Sequence, residues 1–167
     1  VTTSVWVRDL NEEGIEPHPG PRFLSKNING ISNIRKQEAT FQAIRDSNRR
    51  EPITAVFIQE HNLKEDAAGA AAARAKEWEI ILLVAPLRMG TKGGTAIAIP
   101  TSAIETKKDE TYAEALQRVR DSSRRLSSGR ALCVDTLVEG KEMRLLSAYA
   151  HADSHANARP AFFKEHL

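Results

Sequence analysis

The chain has one cysteine, Cys133, set inside an apolar alternation. A lone thiol rules out an internal disulfide framework and a thiolate metal cluster, and a reducing, intracellular setting is expected. Long hydrophobic runs are missing as well. No stretch approaches the roughly 18 consecutive apolar residues of a membrane span, and the N-terminus lacks the charged-then-apolar pattern of a secretory signal. No membrane partner is expected. Charge of one sign is also scarce: 24 Lys and Arg against 22 Asp and Glu leave a formal +2, which permits a nucleic-acid partner without arguing for one. The two tryptophans, Trp6 and Trp78, fall in no pattern suited to base stacking. What remains is a chain of 167 residues, 41% hydrophobic, enough for one domain with a real core. It begins at Val1 rather than Met, which suggests processing or a clipped gene model.

The first twenty or so residues carry no sustained periodicity. Pro17, Pro19 and Pro21 exclude both helix interior and central strand, so residues 1–21 read as a leader. "RFLSKNI" (22–28) alternates as a short strand ending at Asn29-Gly30. Over 34–48 the residues Ile34, Phe41 and Ile44 return on one helical face, with Lys36, Gln37, Glu38 and Arg45 on the other. Glu51-Pro52 breaks that helix, and "ITAVFI" (53–58) reads as a buried strand. The alanine run 67–76 predicts a helix despite Gly69. Further strands follow in "EIILLVAP" (79–86) and "TAIAIP" (95–100). Strand, helix and strand in alternation indicate an α/β fold. Residues 105–128 are dense in charge and serine; a helix around 112–120 competes with a solvated excursion, and the excursion is the expectation. "RALCVDTLVEGKEMRLLSAYA" (130–150) is the clearest hairpin, turning at Glu139, Gly140 and Lys141. "NARPAFFKEHL" (157–167) reads as the start of another helix.

Three polar clusters sit at predicted strand ends: "NING", "QEHN" and "YAHAD". Ligands in α/β sheets gather at the carboxyl ends of strands. A carboxylate held rigidly there, as Glu60 would be at the end of an apolar run, suits a hard cation. Each cluster also has a plainer reading. Asn29-Gly30 between apolar residues is the commonest hairpin turn signal. Glu60 taken alone is a strand-end carboxylate at the solvent boundary. His151, Asp153 and His155 suit a solvated loop better than a transition-metal site. "GTKGGT" lacks the Gly-Lys-Ser/Thr ending of a phosphate-binding loop. Arg49-Arg50, Lys107-Lys108 and Arg124-Arg125 read as surface pairs, and Cys133 as packing.

The four stretches "KNINGI", "FIQEHNL", "KGGTAIAI" and "RLLSAYAHAD", in that order, resemble the N-terminal half of the endonuclease/exonuclease/phosphatase superfamily, which includes apurinic endonucleases and the endonuclease domains of non-LTR retrotransposons. The resemblance runs from about Arg22 to the C-terminus and implies part of a four-layered α/β sandwich: mixed β-sheet flanked by helices, with 22–167 as a truncated domain of that family. Carried over by position, Asn27 matches the active-site asparagine, Asn29 the neighbouring metal-side residue and Glu60 the metal-binding glutamate. Tyr149 matches a tyrosine near the scissile phosphate, and Gly94 the glycine opening the next strand. Many family nucleases carry Asp where this chain has Asn29, and Pro and Asn where it has His151 and Ala152. The leader stretch "GIEPHPGP" resembles degenerate ribosome-skipping peptides found ahead of retrotransposon endonuclease domains, with Gly14 and His18 replacing the usual Asp and Asn. Its placement favours the retrotransposon branch, and nuclear localisation if the source is a eukaryotic retroelement.

The resemblance implies Mg²⁺ or Mn²⁺ polarising a DNA phosphodiester, with Glu60 supplying charge, Asn29 beside the metal, Asn27 orienting a phosphate oxygen or water, and Tyr149 donating to the phosphate. The family's Gly-Asp-x-Asn and Ser-Asp-His motifs do not occur in the sequence, so the expectation is a weakly held metal and an inactive isolated chain. An uncovered apolar sheet face, and with it self-association, is also expected. The alternatives are a non-enzymatic remnant that binds nucleic acid or a partner, and a phosphatase acting on phosphomonoesters or phosphoinositides.

Overall fold

The computed structural model describes residues 7–9, 20–89, 91–127 and 129–149. In chain order the elements are β1 (Val7–Asp9), β2 (Phe23–Asn27), α1 (Ile34–Arg50), β3 (Ala55–Gln59), α2 (Glu65–Glu77), β4 (Ile80–Ala85), β5 (Thr95–Pro100), α3 (Tyr112–Asp121), β6 (Arg124–Ser127), β7 (Ala131–Val138) and β8 (Lys141–Ala148). The fold is α/β, with a mixed five-stranded sheet ordered β1-β2-β3-β5-β4 and a three-stranded sheet ordered β6-β7-β8. β1, β2 and β3 run parallel, while β5 lies antiparallel between β3 and β4. Three residues of the segment read as a leader therefore add an edge strand. The skipping-like stretch up to Pro19, the loop of His151, Asp153 and His155, and the predicted C-terminal helix lie outside the described residues.

Both faces of the large sheet are covered, which is why its strands read as apolar runs rather than alternations. Val56, Ile58, Leu82, Ala96 and Ala98 face the helices, joining Phe41 and Ile44 of α1 and Ala71 and Ala75 of α2. Ala55, Ile81, Ile97 and Ile99 face the other way and meet Leu132, Val134 and Leu145 of the second sheet together with Ala115 and Val119 of α3. The expected uncovered face is thus absent among the described residues, and self-association through it loses its basis: the hairpin β7–β8 is itself the second layer.

The plainer hairpin reading of Asn29-Gly30 does not hold, because β2 and β3 are parallel and joined through α1. Two further expectations are corrected. On α1 it is Gln37, not Ile34, that shares the buried stripe with Phe41 and Ile44; Ile34 is 53% exposed. Gln37 tolerates burial because its amide donates to the Ile31 carbonyl at 2.8 Å and accepts from Arg74. The segment 105–128 is no solvated excursion. Thr111 and Glu114 form a reciprocal capping box that starts α3, Ala115 and Val119 are buried one turn apart, and the chain continues into β6 beside β7.

Of the basic pairs, Arg124 forms a surface ion pair with Asp135, Arg125 with Glu65 and Lys107 with Glu142. Cys133 is buried, as expected of packing.

Candidate active site

Strand direction and register bring several chain ends to one rim. Asn27 is paired with Gln59 at the carboxyl ends of parallel strands. Gln59 and Ala85 both pair with Thr95 at the start of β5. Past the ends of β2 and β3 the ladder continues irregularly: the N–H groups of Ile28, Gly30 and Ile31 donate to the carbonyls of Gln59, Glu60 and His61 at 3.1, 2.6 and 2.9 Å. On the other flank Glu60 N–H donates to Gly94 O at 2.8 Å and Asn62 N–H to Gly93 O at 2.9 Å. The segment 60–62 is therefore clamped from both sides.

Its backbone is unusual. Glu60 and Asn62 both have φ 57°, a left-handed conformation that non-glycine residues adopt at a cost. The buried His61 between them has both ring nitrogens committed. Nδ1 accepts from Leu63 N–H at 2.8 Å, and Nε2 lies 3.1 Å from the carbonyls of both Ala85 and Thr95. Two carbonyl partners require Nε2 to be the protonated nitrogen. Burial lowers the His61 pKa from its ordinary 6.5 to about 4, against the two backbone hydrogen bonds that favour the charged ring.

The Glu60 side chain points toward the second sheet, where the Tyr149 hydroxyl donates to Oε1 at 3.1 Å. Burial first, and the Glu60 carboxylate second, raise the Tyr149 pKa above its ordinary value. The Arg130 guanidinium carbon lies 5.2 Å from the Tyr149 ring centroid, and the Tyr149 N–H donates to Arg130 O at 2.7 Å. Beneath them Thr95 donates its hydroxyl to Ile58 O at 3.3 Å and accepts from the buried Ser147, which ties the two sheets.

Two glycines make this packing possible. A Cβ on Gly93 would stand 2.6 Å from Cε1 of Tyr149, and one on Gly94 would stand 2.5 Å from Nε2 of His61, with φ +98° and +97°. Both the space and the backbone require glycine.

Of the residues expected from sequence, Glu60 and Tyr149 are joined directly, and Asn27 stands on the neighbouring strand tip. Its Oδ1 accepts from Asn29 N–H at 3.1 Å, and Asn29 occupies the turn at φ 44° with an exposed side chain. Gly94 opens β5 as expected. Sequence reasoning missed His61, Asn62 and Arg130. The doublet Gly93-Gly94 was the available signal for a close approach at this rim, and "EHN" marked the residues it approaches.

No protein-family model matches the sequence, and no curated protein matches it. Solved structures do. They include a humanized D. rerio TDP2 at 12% identity and TM-score 0.51, over 85% of this chain and 52% of that one. An AP endonuclease, LMAP, from Leishmania major matches at 16% and 0.52, over 92% and 53%. The endonuclease domain of TRAS1, a telomere-specific non-LTR retrotransposon, aligns at 14% and 0.49, over 87% and 53%. The chain spans about half the length of these structures, and over that span it has the endonuclease/exonuclease/phosphatase fold.

Proposed function

We propose that this chain carries the metal-side half of a retroelement-type DNA endonuclease site. The observation that supports it best is the Glu60–Tyr149 hydrogen bond at 3.1 Å, which sets a carboxylate and a phenol side by side at the strand tips, with the Asn27 amide on the adjacent strand end.

The donor chemistry fits a hard divalent ion. Among the described residues no group of three His, Cys, Asp or Glu gathers around one point, so Glu60 is the carboxylate these residues offer at the rim. One carboxylate with amide oxygens nearby suits Mg²⁺ or Mn²⁺, which keep several waters and complete their shell with substrate phosphate. Glu60 would hold the ion, with Asn29 beside it. When bound, such an ion supplies charge that polarises a phosphodiester and stabilises the leaving oxygen.

The remaining groups bind and orient. Tyr149 donates a proton in a hydrogen bond, to Glu60 in the free chain and to a phosphate oxygen when substrate sits above it. The Asn27 amide can donate to a second oxygen. Arg130, stacked on Tyr149, brings positive charge to the same edge. His61 cannot serve as general base, because it is buried with Nδ1 accepting and Nε2 donating. A positioned base contributes roughly 10²- to 10⁴-fold, so binding of metal and DNA without efficient cleavage is the activity proposed for these residues. A second reading, a DNA-binding remnant with no metal chemistry, is favoured by Asn29, which brings no negative charge where many family nucleases carry Asp.

The test is fluorescence anisotropy with a short labelled duplex, in Mg²⁺ and in EDTA. Binding strengthened by Mg²⁺, and losing that increment in Glu60→Gln, supports the metal-side reading. Binding indifferent to Mg²⁺ supports the remnant. Displacement by inositol phosphates with no affinity for DNA would replace both with the phosphatase reading.

A further inference from the structure

A histidine next to a site carboxylate invites a role in chemistry, yet this one is 0% exposed and both nitrogens are spent. What it does is visible in its partners. Leu63 belongs to the segment that follows, Ala85 ends β4 and Thr95 begins β5, so one ring joins three separate pieces of backbone at the rim. With the ring sunk among them, the residues on either side turn outward. Glu60 and Asn62 both take φ 57°; the first reaches Tyr149, and the second accepts from Gly93 N–H at 2.8 Å. Strained left-handed residues persist only where their surroundings over-determine them. Here the clamp is the ring below and the Gly93 and Gly94 carbonyls beside it.

We propose that His61 is the positioning residue of this site: its imidazole, held as the Nε2–H tautomer by Leu63, Ala85 and Thr95, fixes the left-handed backbone of Glu60 and so aims the Glu60 carboxylate at Tyr149. This rests on the reading of Glu60 as the site carboxylate. A ring that merely fills space would allow substitution without moving Glu60. A positioning ring would not. The two nitrogens can be replaced separately, since His61→Asn retains an acceptor near Nδ1 and His61→Gln retains a donor near Nε2.

The readout is the ultraviolet titration of Tyr149, which reports directly on its contact with Glu60. The sequence has two tyrosines, so Tyr112→Phe leaves Tyr149 as the single reporter. Glu60→Ala should shift the Tyr149 midpoint down toward the ordinary value. His61→Asn and His61→Gln should shift it down comparably, with no further shift when combined with Glu60→Ala. Folded His61 variants that keep the parent midpoint, while Glu60→Ala lowers it, would overturn the positioning role and leave the site reading intact. No shift in Glu60→Ala would overturn the Glu60–Tyr149 pairing and both readings with it. If neither His61 variant folds, ¹⁵N NMR of the unsubstituted chain decides: an Nε2–H tautomer is expected, and an Nδ1–H tautomer would contradict the proposed clamp.

Discussion

The hydroxyl of Tyr149 donates to the carboxylate of Glu60 at 3.1 Å, joining residues 89 apart in sequence and on different sheets. Glu60 follows the parallel strand β3 and Tyr149 follows the antiparallel strand β8, so the bond forms only when the two layers are packed. A hydrogen bond to a charged group contributes about 1.5–3 kcal/mol, less where solvent reaches it. A Tyr149→Phe and Glu60→Gln double-mutant cycle in urea unfolding should therefore give a coupling of about 1 kcal/mol. Additive single effects would mean that the contact is not populated in solution.

His61 makes stability depend on pH, with a definite sign. Its folded pKa, about 4, lies below the ordinary 6.5. Above 6.5 the ring is neutral in both states. As pH falls through 6.5 the unfolded chain takes up a proton that the native chain refuses, and stability drops until pH 4. The full gap corresponds to about 3 kcal/mol. Urea midpoints across pH 4–8 should decline over that window, and the decline should flatten in His61→Gln.

Gly94→Ala and Gly140→Ala should separate sharply. Both positions have positive φ, but a Cβ at Gly94 meets the His61 ring at 2.5 Å, whereas nothing lies within 4 Å at Gly140. The turn variant should lose about 1 kcal/mol from backbone conformation alone. The site variant should lose that and a packing penalty of about 1–3 kcal/mol besides. Paired thermal melts would reveal equal losses if the ring has room to move.

The contact between sheets can be tested at β7 and β8. Leu132 is fully buried against the large sheet, while Leu146 on the opposite face is 40% exposed. Leu132→Ala should cost about 2–5 kcal/mol and Leu146→Ala clearly less. Similar costs would argue against face-to-face packing of the two layers.

The strand tips were legible because apolar runs covered on both faces are local signals, and each ended in a polar cluster. The α1 break was legible because a proline forces the residue before it, Glu51, out of the helical region. Closure of the second sheet was not. Whether Ile97 and Ile99 face solvent or Leu132 and Val134 depends on contacts distant in sequence, and no periodicity states them. Gln37 looked like a surface residue because its partners, Ile31 O and Arg74, are set by tertiary packing. Residues 105–128 looked solvated because charge density masked the capping pair Thr111 and Glu114. His61 was unreadable because its meaning lies in carbonyls 24 and 34 residues away. Glu60, Asn27, Asn29 and Tyr149 emerged from ordered motifs; Arg130 had no motif to mark it.

The most direct measurement is Mn²⁺ binding followed by electron paramagnetic resonance, with a short DNA duplex present, for the parent chain and Glu60→Gln. One weak site that tightens with DNA and disappears in Glu60→Gln is expected. An unchanged Mn²⁺ isotherm in Glu60→Gln would contradict a metal-side role for this rim.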